Sequence, residues 1–317
     1  MTFKEALYYK KLVNKKVHCN LCPHSCIIEN GEIGKCEVRQ NVGGNLKSME
    51  YGKLCELKEE KIEDFMFHTI PGSKCLGIGM IGNTLSVSAK ENEVENSKLK
   101  SINKTPQQII KEAKNNGNKI IVYNYTEPIV FYEFIKDVAI KSKDLKHIIV
   151  SNGFVNEDPI NEMSEYIHGA VIKIKGVDDE IYNVLYGVNA EPVLKCIKKL
   201  KENKVWVELS IKIIPGVNDS LYNIRKIASW ILDNLGPDTP INIIPSKNTD
   251  IELIKKARKS AMDSGLNFVY ISSNWKEGKT TFCPNCKRAV IIRDDKIENN
   301  HIEGKCKCGQ EIPGIWH

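Results

Sequence analysis

Short apolar runs alternate with amphipathic stretches through the middle of the chain. The apolar runs predict strands at Leu76 to Ile81, Lys119 to Tyr123, His147 to Ser151, Ala170 to Ile174, Val205 to Ile214, Ile241 to Ile244 and Phe268 to Ile271. The stretches between them predict helices at Pro106 to Asn116, Pro128 to Ser142, Asp158 to Tyr166, Asp178 to Leu185, Glu191 to Glu202, Leu221 to Leu235 and Asp250 to Ser264. Strands that alternate with helices predict an α/β fold, with a parallel sheet curled into a full or partial barrel.

Two flanking regions depart from this alternation. Residues Phe3 to Leu12 place apolar positions at helical spacing and predict a short amphipathic helix. After Gly278 the helical periodicity stops, and cysteines surround the strand-like run Ala289 to Arg293. We therefore expect three domains: an N-terminal segment over residues 1–70, a barrel over residues 71–275 and a C-terminal module over residues 276–317.

Composition narrows the class of protein. A chain of 317 residues with 41% hydrophobic residues can bury one large core and carry small attached modules. The net charge of +6 is modest and Lys and Glu are interspersed, so nucleic-acid binding is not expected. No apolar run approaches the ~18 residues of a membrane helix, and the first residues lack a signal-peptide core. We expect a cytoplasmic protein without a membrane association.

Eleven cysteines in a reducing compartment point to metal ligation, because disulfides are rare there. Near the N-terminus, a CxxCxxxC set is closed by a fourth thiol, and its members are Cys19, Cys22, Cys26 and Cys36. The spacing suits a tetrahedral zinc ion and a [4Fe-4S] cluster equally well. The alternative is a set of unrelated buried thiols, which the Pro and Gly residues around the cysteines disfavour.

A second set of cysteines lies in the C-terminal module. Two knuckles on either side of the strand-like run contain Cys283, Cys286, Cys306 and Cys308. This arrangement predicts a zinc ribbon, although its second knuckle is CxC where CxxC is usual. So short a module has little core of its own, so we expect structural zinc to hold it folded.

Polar residues follow the predicted strands, and the carboxyl ends of parallel strands meet at one rim of a barrel. Glu127 follows the second strand and Asn152 the third. Together such residues favour a ligand site, although Glu127 also suits a helix start with Pro128 at its first position. Lys173 and Lys175 leave the fourth strand on the same side. Inside a barrel they need an anionic partner, whereas facing the helices they need only solvent at their tips.

The order and spacing of these motifs resemble the radical SAM enzymes of the AmmeMemoRadiSam system, relatives of pyruvate formate-lyase activating enzyme. The resemblance covers nearly the whole chain, through Glu5–Tyr9, Leu21–His24, Phe67–Ser73, Tyr125–Glu133, Ser151–Gly153, Glu191–Leu194, Ile214–Asp219, the C-terminal cysteines and Ile312–Trp316. It implies a partial (β/α)6 barrel with S-adenosylmethionine (SAM) across its top. It also implies that Glu127 accepts hydrogen bonds from the methionine ammonium group, and that Asn152 and Lys175 help to hold the ribose or carboxylate.

The chain departs from this family after its first predicted strand. There the family places a CxxxCxxC motif, whose [4Fe-4S] cluster binds SAM, but here Asn83, Val87 and Lys90 occupy the three positions. Valine has no donor, lysine is protonated near neutral pH and an amide oxygen is a poor ligand for this cluster. We therefore expect no [4Fe-4S] cluster at the barrel site. Lys173 also stands where the family usually has Asp, which places a cation near the position of the cationic sulfonium.

Three functions follow from these observations. The missing thiols favour a degenerate radical-SAM-like protein without radical chemistry, which binds or regulates a cluster-bearing homologue or another protein. The second hypothesis is an enzyme that uses SAM or another small anionic ligand on the same scaffold, near Lys90, Lys173 and Lys175, or uses an N-terminal iron-sulfur cluster. The third and weakest is a nucleic-acid binder acting through the ribbon, which the modest charge disfavours.

Overall fold

The N-terminal part is built from short strands. The computed structural model describes residues 3–85, 101–247, 249–272, 277–294, 296–301 and 303–317. Its first strands are β1 (Lys4–Glu5), β2 (Tyr9–Lys11), β3 (Val17–Cys19), β4 (Ile27–Ile28), β5 (Arg39–Val42), β6 (Asn45–Ser48) and β7 (Lys53–Leu54), with a 3-10 turn at Val13–Lys15. β1 to β6 form two three-stranded antiparallel sheets, in the orders β1-β6-β5 and β2-β3-β4. The connections around β3 and β4 carry the N-terminal cysteines.

The helix predicted over Phe3 to Leu12 is wrong. β1 pairs with β6, β2 pairs with β3, and Tyr8 between them has a φ of 57°, which an α-helix cannot contain. The backbone of Ala6 also donates to Leu46 O over 2.9 Å. An isolated helix of this length is marginal, so pairing with two neighbouring hairpins outweighs the local helical spacing.

The central region contains the βα repeat. Its elements are β8 (Glu56–Lys61), β9 (Lys74–Gly79), β10 (Ile102–Asn103), α1 (Pro106–Asn115), β11 (Ile120–Asn124), α2 (Tyr132–Lys141), β12 (Lys146–Ser151), α3 (Glu157–Met163), β13 (Gly169–Ile174), α4 (Asp179–Tyr186), α5 (Glu191–Glu202), β14 (Trp206–Lys212), α6 (Leu221–Asn234), β15 (Ile241–Ile244), α7 (Ile251–Asp263) and β16 (Val269–Ile271). Short 3-10 turns lie at Ile62–Asp64 and Pro128–Phe131. The predicted strands and helices of this region are confirmed with small shifts at their ends. β8 was not predicted, because its charged sequence has no apolar alternation, and it lies before the expected domain boundary at residue 70.

The strands of this region form one eight-stranded sheet in the order β8-β9-β11-β12-β13-β14-β15-β16. The strands from β9 to β16 in this order run parallel, and β8 pairs antiparallel with β9 at the edge. β10 lies outside this sheet and pairs antiparallel with β7. All seven helices pack on one face, while Val122, Val150 and Val171 belong to a separate cluster on the other. Helices on one face only are typical of a barrel rather than a doubly wound sheet. None of the helices in the described ranges is long and apolar enough to span a bilayer.

The C-terminal module contains β17 (Thr281–Phe282), β18 (Ala289–Arg293) and β19 (Ile297–Asn299), paired antiparallel in that order. The chain then returns to the barrel, where Ile70 N donates to Ile315 O over 2.7 Å and Ile315 N donates to His68 O over 2.8 Å. The Ile315 side chain lies beside Gly169, the first residue of β13. The ribbon and the tail therefore pack at the amino ends of the strands, opposite the rim that carries ligand sites in barrels.

Candidate functional site

The loop after β9 is the first segment along the chain that lies at the rim of the barrel. It begins at Gly82, whose φ is 124°, and a Cβ there would lie 2.8 Å from Val38 and 2.9 Å from Val130. Only glycine fits such a backbone at such a close approach. Because Val38 belongs to the N-terminal part, that part packs directly against the loop carrying Asn83, the first of the three expected cysteine positions.

Asn152 is hydrogen-bonded to the first residues of this loop. Its Nδ2 donates to Asn83 Oδ1 over 3.1 Å and to Thr84 Oγ1 over 3.0 Å. Asn83 Oδ1 also accepts from Leu85 N over 3.0 Å, and His24 Nε2 lies 2.7 Å from Thr84 O. Both amide hydrogens of Asn152 are thus used within the chain. The residue expected to hold SAM ties down residues 82–85.

Glu127 lies beneath the same rim and is fully buried. Its Oε1 accepts from Ser151 Oγ over 2.6 Å and from Ile129 N over 3.1 Å, and its Oε2 accepts from Asn152 N over 2.8 Å. Burial raises the pKa of this carboxyl, while the hydrogen bonds and the nearby charge of Lys173 oppose the rise. Glu127 therefore caps the turn that follows it and joins the ends of β11 and β12. An approaching ammonium group would reach it only if the rim rearranged.

Lys173 and Lys175 lie on the concave face of the barrel. Their neighbours Ile172 and Ile174 belong to the core beneath the helices, so the lysines leave β13 on the opposite side. Both lysines are partly exposed, and the Lys175 ammonium lies 6.0 Å from the centre of the Tyr186 ring. The structure therefore gives them the inward orientation, the one that favours an anionic partner.

A row of polar residues continues from Lys173 across the concave face. Ser210 lies opposite Lys173 on β14, and Asn242 lies opposite Ser210 on β15. Both side chains are buried, and Asn242 Oδ1 has no hydrogen-bond partner among the described residues. A buried acceptor without a donor is costly, so this row has capacity for a further polar group.

The C-terminal cysteines come together as predicted. The sulfur atoms of Cys283, Cys286, Cys306 and Cys308 all lie within 4.8 Å of one another. Cys283 Sγ is 3.6 Å from Cys308 Sγ, and Cys286 Sγ is 3.6 Å from Cys306 Sγ. Zn–S bonds of ~2.3 Å in a tetrahedron place sulfurs roughly 3.8 Å apart, so this group can hold a metal ion. The backbone of Gln310 lowers the pKa of the Cys308 thiol, which favours the ligating thiolate.

The N-terminal cysteines line one cavity, which contains Cys19, Cys22, Cys26 and Cys36. Thr84 and Val130 of the barrel line it too, as does the fully buried Arg39. Burial raises the pKa of the Cys22 thiol to about 12. Arg39 pairs with Glu133, with 2.5 Å between Nη2 and Oε1, and both side chains are about 1% exposed. The sequence had not predicted this ion pair, because nothing local links the two residues.

Comparisons with known proteins agree with this architecture. Residues 90–226 match the model of the radical SAM superfamily. The chain is also 32% identical over 331 residues to Uncharacterized protein MJ0808 of Methanocaldococcus jannaschii, an alignment that covers 98% of each protein. The chain belongs to the radical SAM superfamily.

Two further proteins of that superfamily are similar to part of the chain. The chain is 28% identical over 123 residues to pyruvate formate-lyase 1-activating enzyme of Escherichia coli K12, which is 38% of this chain and 50% of that enzyme. A radical SAM methyltransferase from Sphaerobacter thermophilus has 15% identity and a TM-score of 0.50 over 65% of this chain and 67% of its own, which supports the fold alone. The similarity to activating enzymes thus covers about half the length of the enzyme it matches.

The superfamily match begins at residue 90, so it leaves out Asn83 and Val87 and includes Lys90. Of the three expected cysteine positions, Asn83 is placed as described above, whereas Val87 and Lys90 lie outside the described residues. The sequence contains no cysteine between Cys75 and Cys196. The superfamily match therefore does not rest on the first two of the three expected cysteine positions.

Sequence reasoning missed a buried network at the opposite end of the barrel. Glu208 on β14 accepts from Phe67 N and His68 N over 2.8 Å each, and from Trp206 Nε1 over 3.1 Å. Burial raises the pKa of the Glu208 carboxyl, while these donors oppose the rise. The one signal in the sequence was a charged residue inside an apolar strand run, which is expensive to bury without partners.

Proposed function

We propose that this radical SAM protein does not cleave SAM reductively, and that it acts as a binding or regulatory partner of a cluster-bearing homologue or of another protein. The supporting observation is the loop after β9. Asn83 stands at the first expected cysteine position, and its side chain is bonded to Leu85 and Asn152. Residues 83–85 are thus bonded within the chain, at the first of the positions where the superfamily carries its cluster.

The chemistry supports the same conclusion. One-electron cleavage needs an electron delivered at the sulfonium, and three thiolates at the rim would hold the cluster that supplies it. Cys75 is fully buried at the amino end of β9, and Cys196 is buried on α5. Cys55 lies near the rim, since its N donates to Gly79 O over 2.9 Å, but one thiol does not hold a cluster.

The rest of the scaffold is kept. The C-terminal cysteines have zinc-like spacing, the N-terminal cysteines share a cavity, and a helix follows most of the parallel strands in the described part of the barrel. Structural metal sites contribute directly to folding. A chain that keeps the metal sites needed for folding but lacks the catalytic cluster ligands suits a role in binding. We propose zinc at the ribbon and a metal centre at the N-terminal cysteines.

The test is turnover of SAM by anaerobically reconstituted protein with a strong reductant. We expect no methionine or deoxyadenosine release above a reagent blank, measured by chromatography. The matched variant is the triple substitution Asn83→Cys, Val87→Cys and Lys90→Cys, which restores the three thiols. We expect this variant to take up about four more iron ions per chain than the wild type. Multiple turnovers by the wild-type protein would refute the proposal.

A second candidate is an enzyme that uses SAM or another small anionic ligand without a cluster at the barrel. The observation in its favour is Asn242, whose buried Oδ1 has no partner among the described residues and lies in the row that begins at Lys173. A ligand that brings a donor to this acceptor and an anion to the lysine side of the row would suit it.

Calorimetry separates this candidate from the first. SAM and inorganic phosphate are titrated separately into the wild type and into Asn242→Leu. The control is Asn234→Leu, an exposed position at the end of α6. Binding that is lost in Asn242→Leu and kept in Asn234→Leu would support a ligand site in the concave face. The absence of heat with both titrants would remove this candidate.

A further inference from the structure

We infer that Cys19, Cys22, Cys26 and Cys36 hold a [4Fe-4S] cluster and not a zinc ion. The cluster lies at the rim of the barrel, against the loop after β9. This inference goes beyond the proposed function and does not depend on it, because a cluster on these cysteines is separate from the three positions that bind SAM in the superfamily.

The first argument is sulfur spacing. The C-terminal cysteines have sulfurs 3.6 Å apart in two pairs and all within 4.8 Å, as one tetrahedral ion requires. In the described part of the chain, no three of the N-terminal sulfurs meet at that distance, although all four line one cavity. A cubane holds its thiolates at the corners of a larger body than a single ion. Four cysteines spread around a shared cavity fit the cubane.

The second argument is the surface of the cavity. Apart from the cysteines, Gly34, Arg39 and Thr84, its wall consists of the apolar residues Leu21, Ile28 and Val130. At Gly34 a Cβ would lie 3.1 Å from Ile28 Cδ1 and 3.9 Å from Cys26 Sγ, so glycine keeps this wall open. An apolar shell with limited access to water is the environment in which iron-sulfur clusters are held in proteins, and it tunes their potential.

The third argument is charge. A [4Fe-4S] cluster with four thiolates carries net negative charge, and a buried negative group needs compensation. Arg39 is fully buried in the wall of the cavity. It donates to Glu133 and to Leu7 O, but its Nε has no hydrogen-bond partner among the described residues. A donor without an acceptor, beside four sulfurs, is the group that an anionic cluster would satisfy.

The position of the cavity gives the cluster a defined neighbour. Thr84 lines the cavity with its side chain fully buried, and its carbonyl oxygen is bonded to His24 from the loop between Cys22 and Cys26. The loop after β9 therefore forms part of the wall of the N-terminal centre. The chain therefore holds one cluster beside the rim, on the N-terminal cysteines. This position differs from the exposed one at which SAM binds a cluster in the superfamily.

The test is metal analysis of the full-length protein purified and reconstituted anaerobically with iron and sulfide. We expect about four iron and four sulfide ions per chain, together with one zinc ion. Cys22→Ser should lose the iron and keep the zinc. Cys286→Ser, its matched control in the ribbon, should lose the zinc and keep the iron. Cys196→Ser, a buried thiol outside both sets, should keep both.

A spectroscopic measurement on the wild type needs no cysteine variant, so it does not depend on whether such a variant folds. Iron-edge X-ray absorption on the wild type should show iron–iron scattering, and zinc-edge absorption should show one tetrathiolate site. Two zinc ions per chain with no iron, after anaerobic reconstitution, would overturn the inference.

The outcome also separates this inference from the proposed function. A cluster that remains in Cys22→Ser is not held by the N-terminal cysteines. If SAM alters the electron paramagnetic resonance spectrum of such a cluster, the proposed function fails. The N-terminal assignment then depends only on the iron lost between the wild type and Cys22→Ser. If the wild type binds no iron at all, only the present inference fails.

Discussion

Acidification should destabilise the protein through His68, which is fully buried at the junction of barrel, ribbon and tail. Its Nδ1 lies 2.6 Å from Pro313 O, and because a carbonyl only accepts, Nδ1 carries the hydrogen. Nε2 then accepts from the Tyr270 hydroxyl over 2.7 Å. Tyr270 in turn bonds Thr281 Oγ1 over 2.8 Å, to which Arg293 Nη1 donates over 2.9 Å. The chain of bonds requires neutral His68.

The size of the stability loss on acidification follows from proton linkage. Burial lowers the pKa of His68 to about 3 from its usual 6.5, and Arg293 and His301 act in the same direction. In the unfolded chain the imidazole takes up a proton below pH 6.5, whereas in the fold it stays neutral down to about pH 3. Stability is therefore full above pH 6.5 and falls as the pH drops through that window. At pH 5 the loss is about 2 kcal/mol.

The assay is denaturant unfolding at pH 7 and pH 5 with constant ionic strength. Burial also lowers the pKa of His147 to about 4, so the wild type alone does not isolate His68. His68→Gln keeps one donor and one acceptor, and we expect its loss between the two pH values to be smaller by about 2 kcal/mol. Exposed His317→Gln is the control and should behave as the wild type. Equal losses in His68→Gln and wild type would refute the reasoning.

Three further changes have defined outcomes. Cys286→Ser should lower the thermal midpoint of the ribbon and abolish its response to a zinc chelator, whereas a midpoint and a chelator response equal to those of the wild type would show that Cys286 does not ligate a structural metal. Asn152→Ala should speed hydrogen exchange at residues 82–85, with bonds worth about 1 kcal/mol each lost, and unchanged exchange at Leu85 would contradict this hydrogen bonding. Arg39→Met should cost about 3–5 kcal/mol in unfolding free energy, because Glu133 is left buried without its cation. The double variant with Glu133→Leu should recover most of that loss, and additive losses would argue against a direct pair.

The barrel could be predicted from sequence because its determinants are local. The strand at Ile241–Ile244 and the helix at Glu191–Glu202 have the predicted ends, since apolar periodicity and flanking Pro or polar residues mark both. The C-terminal cysteines were predictable for a related reason, because close spacing leaves few ways to arrange four thiols.

The rest depends on contacts distant in sequence. Lys4–Glu5 becomes a strand because Ser48 and Lys47 pair with it, and no pattern within ten residues encodes that partner. The rim is similar, since Asn152 was recognised as a ligand candidate while its bonds to Asn83 and Thr84 span nearly seventy residues. A sequence can show that a polar residue ends a strand, but not whether the chain itself supplies the partner.

The tail that pairs beneath the barrel also sets an order of events during synthesis. His68 and its acceptor on Pro313 are separated by 245 residues, and Thr69 pairs with Ile315. Domains fold as they leave the ribosome, so the barrel strands emerge well before the segment that completes their base. Until that segment emerges, the ring of His68 lacks its acceptor on Pro313. A chain interrupted before residue 313 would contain the barrel strands of the described residues and still lack the contacts of His68 with Pro313 and of Thr69 with Ile315 at the amino ends of those strands.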